Sequence, residues 1–361
     1  MRQGVGAAAL VGRTFGPPWF DYLLIGGGAS LLFTVAVVLT RDGAGPVLGH
    51  AALPWFLLLV NAAHFAASTV RLYAKPGSVR ALPFLTLAFP LVALLVLTVC
   101  IAEPARLGRH FQSLYLTWSP YHYAAQAYGL AVMYSYRSGC KLAAADKKLL
   151  WWAAMFAFLY NFATAPEVGV SWLLPQSVRS LGAFAALRAG AGTLLWALAV
   201  GAPLGVWLKV RRAPSGPMPL IALLTVVANG VWFLVLGPLD AFVWATVFHG
   251  VQYLAIATIF HVKDRSGLAG NRHGPLYHTL WFYGASVLLA YALFNLLPLG
   301  FVAAGFGKVE SMLMVVAAIN VHHFVVDAYI WRLKQGDRNR SIVDAGAPAA
   351  GYAAAHASAG R

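Results

Sequence analysis

Residues 81–101 read ALPFLTLAFPLVALLVLTVCI, 21 positions without one charged side chain. At about 1.5 Å of rise per residue, a helix of this length covers the roughly 30 Å hydrocarbon core of a bilayer. No water is present there to satisfy backbone groups, so a spanning segment must close its hydrogen bonds internally, as a helix does. Nine further runs of the same kind lie near residues 20–40, 50–71, 111–136, 149–165, 181–208, 218–236, 240–262, 276–297 and 309–331. The expected fold class is all-α, a polytopic integral membrane bundle of about ten transmembrane helices. Residues 1–340 form a single polytopic domain on this reading. Residues 341–361 are rich in Ala and Gly without a periodic apolar face and are expected to be a disordered cytoplasmic tail. The stretch before Trp19 is basic and weakly apolar, which fits a lead-in to a true first span rather than a cleaved signal. Residues 171–180, with Trp172, Pro175 and Arg179, read as an interfacial piece.

Composition points the same way. Hydrophobic residues make up 60% of the 361 and charged residues 10%, against about 25% charged in soluble domains. A water-soluble enzyme, a nucleic-acid module and a disordered chain are excluded. The net charge of +15 is then a topological signal and implies no nucleic-acid partner. With ten spans, the side holding both termini receives 20 of the 26 Lys and Arg residues. The opposite side receives 5, and Arg188 falls inside a span. Excess Lys and Arg mark the cytoplasmic side. The prediction is a multi-pass protein of the inner (plasma) membrane with both termini cytoplasmic. Cys100 and Cys140 have no CxxC partner and build no disulfide framework.

Ionisable residues inside a membrane are costly and mark function. Here they are unevenly placed. His64 lies in the second run, His122 in the fourth, His249 in the eighth, and His322 with His323 in the tenth. These four helices all run from the outside inward. Two share a pattern, Asn61-Ala62-Ala63-His64-Phe65 and Asn320-Val321-His322-His323-Phe324, which hints at a duplicated core. Helix spacing puts Asn61 beside His64, Asn320 beside His323, Gln126 beside His122 and Gln252 beside His249. Imidazole ligands steadied by neighbouring amides fit that arrangement. The candidate metal ligands are therefore His64, His122, His249, His322 and His323, with Asn61 and Asn320 supporting them and Gln126 and Gln252 at the reacting centre. Asp327 follows His323 by four residues and is expected to ligate or to orient an imidazole. Its alternative is an ion pair with Arg71 or Arg332. Counting depth from the loop arginines places His64 and His323 about 10–14 Å deep and His122 and His249 about 21–22 Å deep, which leaves open one site or two layers.

Several chemistries lack their residues. Carboxylate-bridged di-iron sites need Glu-x-x-His motifs, and these helix cores contain no Glu. No HxxxH or HxxHH boxes, no H-E-x-x-H and no P-loop are present. A mostly imidazole site suits Fe, Cu or Zn. Non-haem iron with O2, or haem, fits a membrane-dissolved substrate. Tyr115, Trp118, Tyr121, Tyr123, Tyr128, Tyr134 and Tyr136 form either the wall of a long apolar site or an interfacial belt with helix packing.

The run Ala63-His64-Phe65 and the run His322-His323-Phe324-Val325-Val326-Asp327 resemble motifs of the Brp/Blh-type membrane carotenoid dioxygenases. That resemblance implies an all-helical membrane fold and an iron held by histidines alone, and cleavage of the central double bond of β-carotene by O2. It implies iron-ligand roles for His64 and for one of His322 and His323. His249 and His261 match that family's histidine-bearing penultimate region loosely. The first helix here has no histidine where that family carries a His-Gly pair.

The expected function is thus an oxygen-using membrane oxidoreductase with a histidine-bound iron, acting on an isoprenoid or other lipid. The competing readings are a haem- or quinone-linked electron-transfer protein and a transporter with proton-relay histidines.

Overall fold

The computed structural model describes residues 10–40, 53–75, 77–211, 216–331 and 338–344. Regular structure among them is all helical. Ten long helical segments fall on the ten apolar runs. They are α1 (Pro18–Ile25 continued by Gly28–Thr40), α2 (Leu53–Ala74), α3 (Phe84–Ala102), α4 (Arg109–Arg137), α5 (Ala144–Thr164), α6 (Gly182–Val210), α7 (Leu220–Val235), α8 (Pro238–Ser266), α9 (Pro275–Ala303) and α10 (Lys308–Ile330). A short α11 (Arg338–Asp344) follows. It takes in residues 341–344 of the expected tail, whereas 345–361 and Arg332 lie outside the described residues.

Six of these helices are long and apolar enough to cross a membrane, α2, α3, α6, α8, α9 and α10, or seven if the two halves of α1 count as one span. The other three differ for local reasons. α4 carries Arg109, His110, Gln112 and a series of Ser and Tyr residues. α5 opens with Asp146, Lys147 and Lys148. α7 has only 16 residues. The outer helices turn leucines outward: Leu91 of α3, Leu187 of α6 and Leu288 of α9 are each about 70% exposed or more (69%, 71% and 74%). Apolar surface on that scale is rare on soluble monomers and suits lipid contact.

The Gly26-Gly27-Gly28 run does more than pack helices. It breaks α1 by 50°. Gly27 has φ +79°, and a Cβ there would sit 2.2 Å from Cβ of Ala228 in α7. Only glycine accepts both conditions. Just before the break, Asp21 ties the N-terminal segment down. Its carboxylate accepts from the backbone N–H of Phe15 and Gly16 and from the Tyr134 hydroxyl of α4.

The core is arranged around α2, α4, α8 and α10. α2 packs on α8, α9 and α10; α10 also packs on α3 and α4; α4 also meets α5 and α7. α5 lies along α6. Residues 171–180 form two short helical turns, Val170–Leu173 and Gln176–Arg179, between α5 and α6. α11 packs on α4 and α8, where the Ile342 carbonyl accepts from Arg137 and the Asn339 side chain accepts from Arg71.

Candidate metal centre

His64, His122, His249 and His323 converge. Their rings form a closed circuit with centroid separations of 5.2 Å for His64–His323, 4.9 Å for His323–His122, 5.0 Å for His122–His249 and 5.1 Å for His249–His64. Neighbouring rings stand nearly perpendicular, at 74–85°. All four side chains are buried. The ligand atoms of His64, His249 and His323 lie within 4.8 Å of one another, and so do those of His122, His323 and Asp327.

The four rings meet in one cluster rather than in two separated layers, and their ligand atoms form two triads that share His323. α4 and α8 are each 29 residues long, about 43 Å at helical rise, and overrun a bilayer core of about 30 Å. Their basic ends therefore lie further from the histidines than those of α2 and α10, without the histidines lying at another level. A close approach completes the ring. Gly250, next to His249, has no Cβ, and one there would fall 2.8 Å from Nδ1 of His64. On the α2 side, the π-helical stretch Leu57–Ala62 ends two residues before His64. Such irregular turns are frequent at functional sites.

The next helical turn supplies the supports. Each ring histidine has a polar residue four positions later: Ser68, Gln126, Tyr253 and Asp327. Ser68 Oγ lies 3.0 Å from His323 Nδ1. The Tyr253 hydroxyl donates to Asp327 Oδ1 at 2.7 Å. The other Asp327 oxygen is 3.5 Å from His323 Nε2 and 3.8 Å from His122 Nε2. Phe324 stacks on His122 at 4.6 Å, and Tyr123 lies 4.4 Å from His249 with its hydroxyl bonded to Thr246. Ser68 and Tyr253 were not among the candidates from sequence, although the i+4 spacing that singles out Asp327 also singles them out.

Other expected members sit elsewhere. His322 points away from the ring and stacks on Phe89 of α3 at 5.1 Å. Adjacent helix positions differ by about 100°, so His322 and His323 cannot both face the centre. The Asn320 amide donates to the Val316 carbonyl in its own helix, and the side-chain oxygens of Asn61 and Asn320 make no hydrogen bond to a ring imidazole among the described residues. Gln126 donates to Gln252 Oε1, which also accepts from Asn229, while the Gln252 amide donates to the Ile25 carbonyl freed at the break in α1. The two glutamines thus brace α1, α4, α7 and α8, and Gln126 also lines the cavity that His122 and Asp327 border. His261 stacks on Phe282 and Trp281 of α9, 12 residues or about 18 Å along α8 from His249. The ion pair described for Arg71 is with Asp264.

The donor set fits a metal ion. Both ring nitrogens of His64 and both of His249 are buried without a hydrogen-bond partner, and a buried unpaired polar group costs about 1–3 kcal/mol. A metal ligand bond uses the in-plane lone pair of a neutral imidazole. The middle of a four-membered circuit with 5 Å sides lies roughly 3.1–3.6 Å from each ring centroid, and an imidazole bound at about 2.1 Å puts its centroid at about 3.2 Å. A flat macrocycle has no room between rings this close, which argues against haem at this position. Cysteine chemistry is absent as well: Cys100 and Cys140 are buried, and burial, with the nearby Asp146, pushes the Cys140 thiol up to about 11.

A cavity of about 520 Å³ adjoins the ring and is bordered by His122, Phe324, Tyr253, Asp327 and Trp331. Along α4 it extends from Trp118 to Met133, about 22 Å at helical rise. Of the aromatic cluster on α4, Trp118, Tyr121 and Tyr128 line this cavity, whereas Tyr123 and Tyr134 are buried in the core.

No protein-family model, curated protein or solved structure matches this chain.

Proposed function

We propose that this chain is a polytopic membrane oxidoreductase of ten spans, with both termini on the cytoplasmic side, and that His64, His122, His249 and His323 bind one non-haem iron. The observation that carries this reading is the closed circuit of four imidazoles, two of them without side-chain hydrogen-bond partners, with His122 opening onto a long cavity. Bound there, iron would supply activation of O2. The protein's own residues do the rest. Ser68 fixes the ring of His323 through Nδ1. Asp327, held by Tyr253, turns its other oxygen toward Nε2 of His323 and of His122, where it would add a carboxylate to the ligand set. Trp118, Tyr121 and Phe324 offer flat apolar faces to an extended substrate and keep water from the centre.

The substrate class is a membrane-dissolved isoprenoid or other long lipid. Oxidative cleavage of a polyene, which the resemblance to the carotenoid dioxygenases implies, fits a cavity that runs along α4 and carries aromatic side chains in its lining. The test is O2 uptake and product analysis with the purified protein and a panel of apolar polyenes in detergent. The reading expects consumption of O2 with cleavage of a polyene that depends on His323. A Soret band in the purified protein would favour haem instead, and absence of any metal would favour a transporter.

A further inference from the structure

A second cavity, of about 600 Å³, opens between α5 and α6 away from the histidines. Its inner end closes where Gly192 of α6 meets Thr164 of α5, with a contact so near that a Cβ would fall 2.9 Å from the Thr164 methyl. Tyr160, Phe184 and Trp196 form its walls, and the Trp196 indole N–H donates to the Leu234 carbonyl, which fixes that wall in place. Two guanidinium groups share this space, Arg179 from the turn after residue 175 and Arg188 from the second turn of α6.

Neither arginine is neutralised in the way a partly buried cation requires. The contact described for Arg188 is the Ser171 hydroxyl at 3.4 Å, and among the described residues no carboxylate comes within 4 Å of it. Arg179 meets Glu167 at 3.5 Å, but that Glu is 83% exposed, and Arg179 Nε is buried without a partner. Among the described residues Arg188 thus has no acidic partner, and the ion pair described for Arg179 is with the exposed Glu167. Beside the mouth, Leu187, Leu194 and Val200 are exposed on α6. The cleft therefore offers cations at one end, aromatic walls inside and a leucine-rich strip alongside.

We propose that the cleft between α5 and α6 binds an anionic phospholipid, with its phosphate between Arg179 and Arg188 and its chains along α6. An intramembrane arginine is stabilised by such a partner, and basic pockets between membrane helices hold anionic head groups. The proposal rests on the membrane reading above and is independent of the metal centre.

The test uses the full chain purified in neutral detergent and titrated with phosphatidylglycerol or phosphatidylcholine carrying brominated chains, which quench nearby tryptophans. Half-quenching should need on the order of tenfold less phosphatidylglycerol than phosphatidylcholine. Arg188→Gln and Arg179→Gln should each reduce that preference about fivefold, and Trp196→Phe should remove the preferentially quenched component. Arg106→Gln, an exposed cation elsewhere, should leave the preference intact. Arg179 is on a surface turn, so its variant serves if Arg188→Gln does not accumulate. Equal quenching by the two lipids, or an unchanged preference in both arginine variants, would overturn the site. Displacement of the lipid by inorganic phosphate at equal concentration would show that the ligand is a free anion, and would overturn it too. Failure of the membrane reading would show separately, as release of the chain from membranes by alkaline carbonate.

Discussion

The Tyr253 hydroxyl donates to Asp327 at 2.7 Å, one helical turn beyond His249 and His323. This bond links α8 to α10 next to the imidazole circuit and leaves the second carboxylate oxygen facing His323 and His122. Asp327 thereby lies within ligand reach of both imidazoles, one helical turn from the circuit.

Asp327→Asn keeps an acceptor for Tyr253 but removes the negative charge that faces Nε2 of His323 and His122. The variant should fold and keep most of its metal while turnover falls. Tyr253→Phe removes one hydrogen-bond donor to the carboxylate and should weaken metal binding about tenfold, within the range of such supporting contacts. Melting temperature, metal content and turnover measured together decide the matter. Unchanged turnover with a lowered melting temperature in Asp327→Asn would assign the residue to stability alone.

His322 and His323 give the sharpest contrast. His323→Ala removes a ring member and should lower metal affinity by more than about 100-fold, beyond the loss typical of a supporting contact. His322→Ala removes a ring stacked on Phe89 and should leave metal stoichiometry as in the parent. Equal losses from both, read by elemental analysis, would contradict the placement of His322.

Gly250 permits α8 to approach His64. In Gly250→Ala the new methyl would lie 2.8 Å from Nδ1 of His64, so the imidazole or the helix must move. Metal content should fall while the helical circular dichroism signal persists. Full metal content with parental affinity would show that this approach is not needed.

Much of this arrangement was readable from sequence, and the misreadings have physical causes. The ten apolar runs gave the ten long helices because hydrophobic length is a strong signal. The histidine positions in four alternate helices gave the ring. Depth was misleading because it was counted from loop arginines, and two of the four helices run well past the others. An i+3 spacing pairs each asparagine with a histidine, whereas the contacts described for Ser68, Tyr253 and Asp327 use i+4 residues. Asn320 has a nearer acceptor in its own backbone. Gln126 and Gln252 found each other and the carbonyl exposed at Gly26-Gly27, a break that no local pattern around the glutamines announces.

Topology can be tested without reference to the site. Cysteines placed at Lys141 and Ser177, both exposed and separated by α5, should react with a membrane-impermeant maleimide from opposite sides. The two native cysteines are buried and should give little background. Labelling of both sites from one side would overturn the ten-span arrangement.

The most direct measurement of the central claim is elemental analysis of the purified chain beside its absorption spectrum, for the parent and for the alanine variants of His64, His122, His249 and His323. The account predicts one iron per chain without a Soret band, and loss of most of that iron in each variant. A parent free of metal, or full metal occupancy in all four variants, would contradict it.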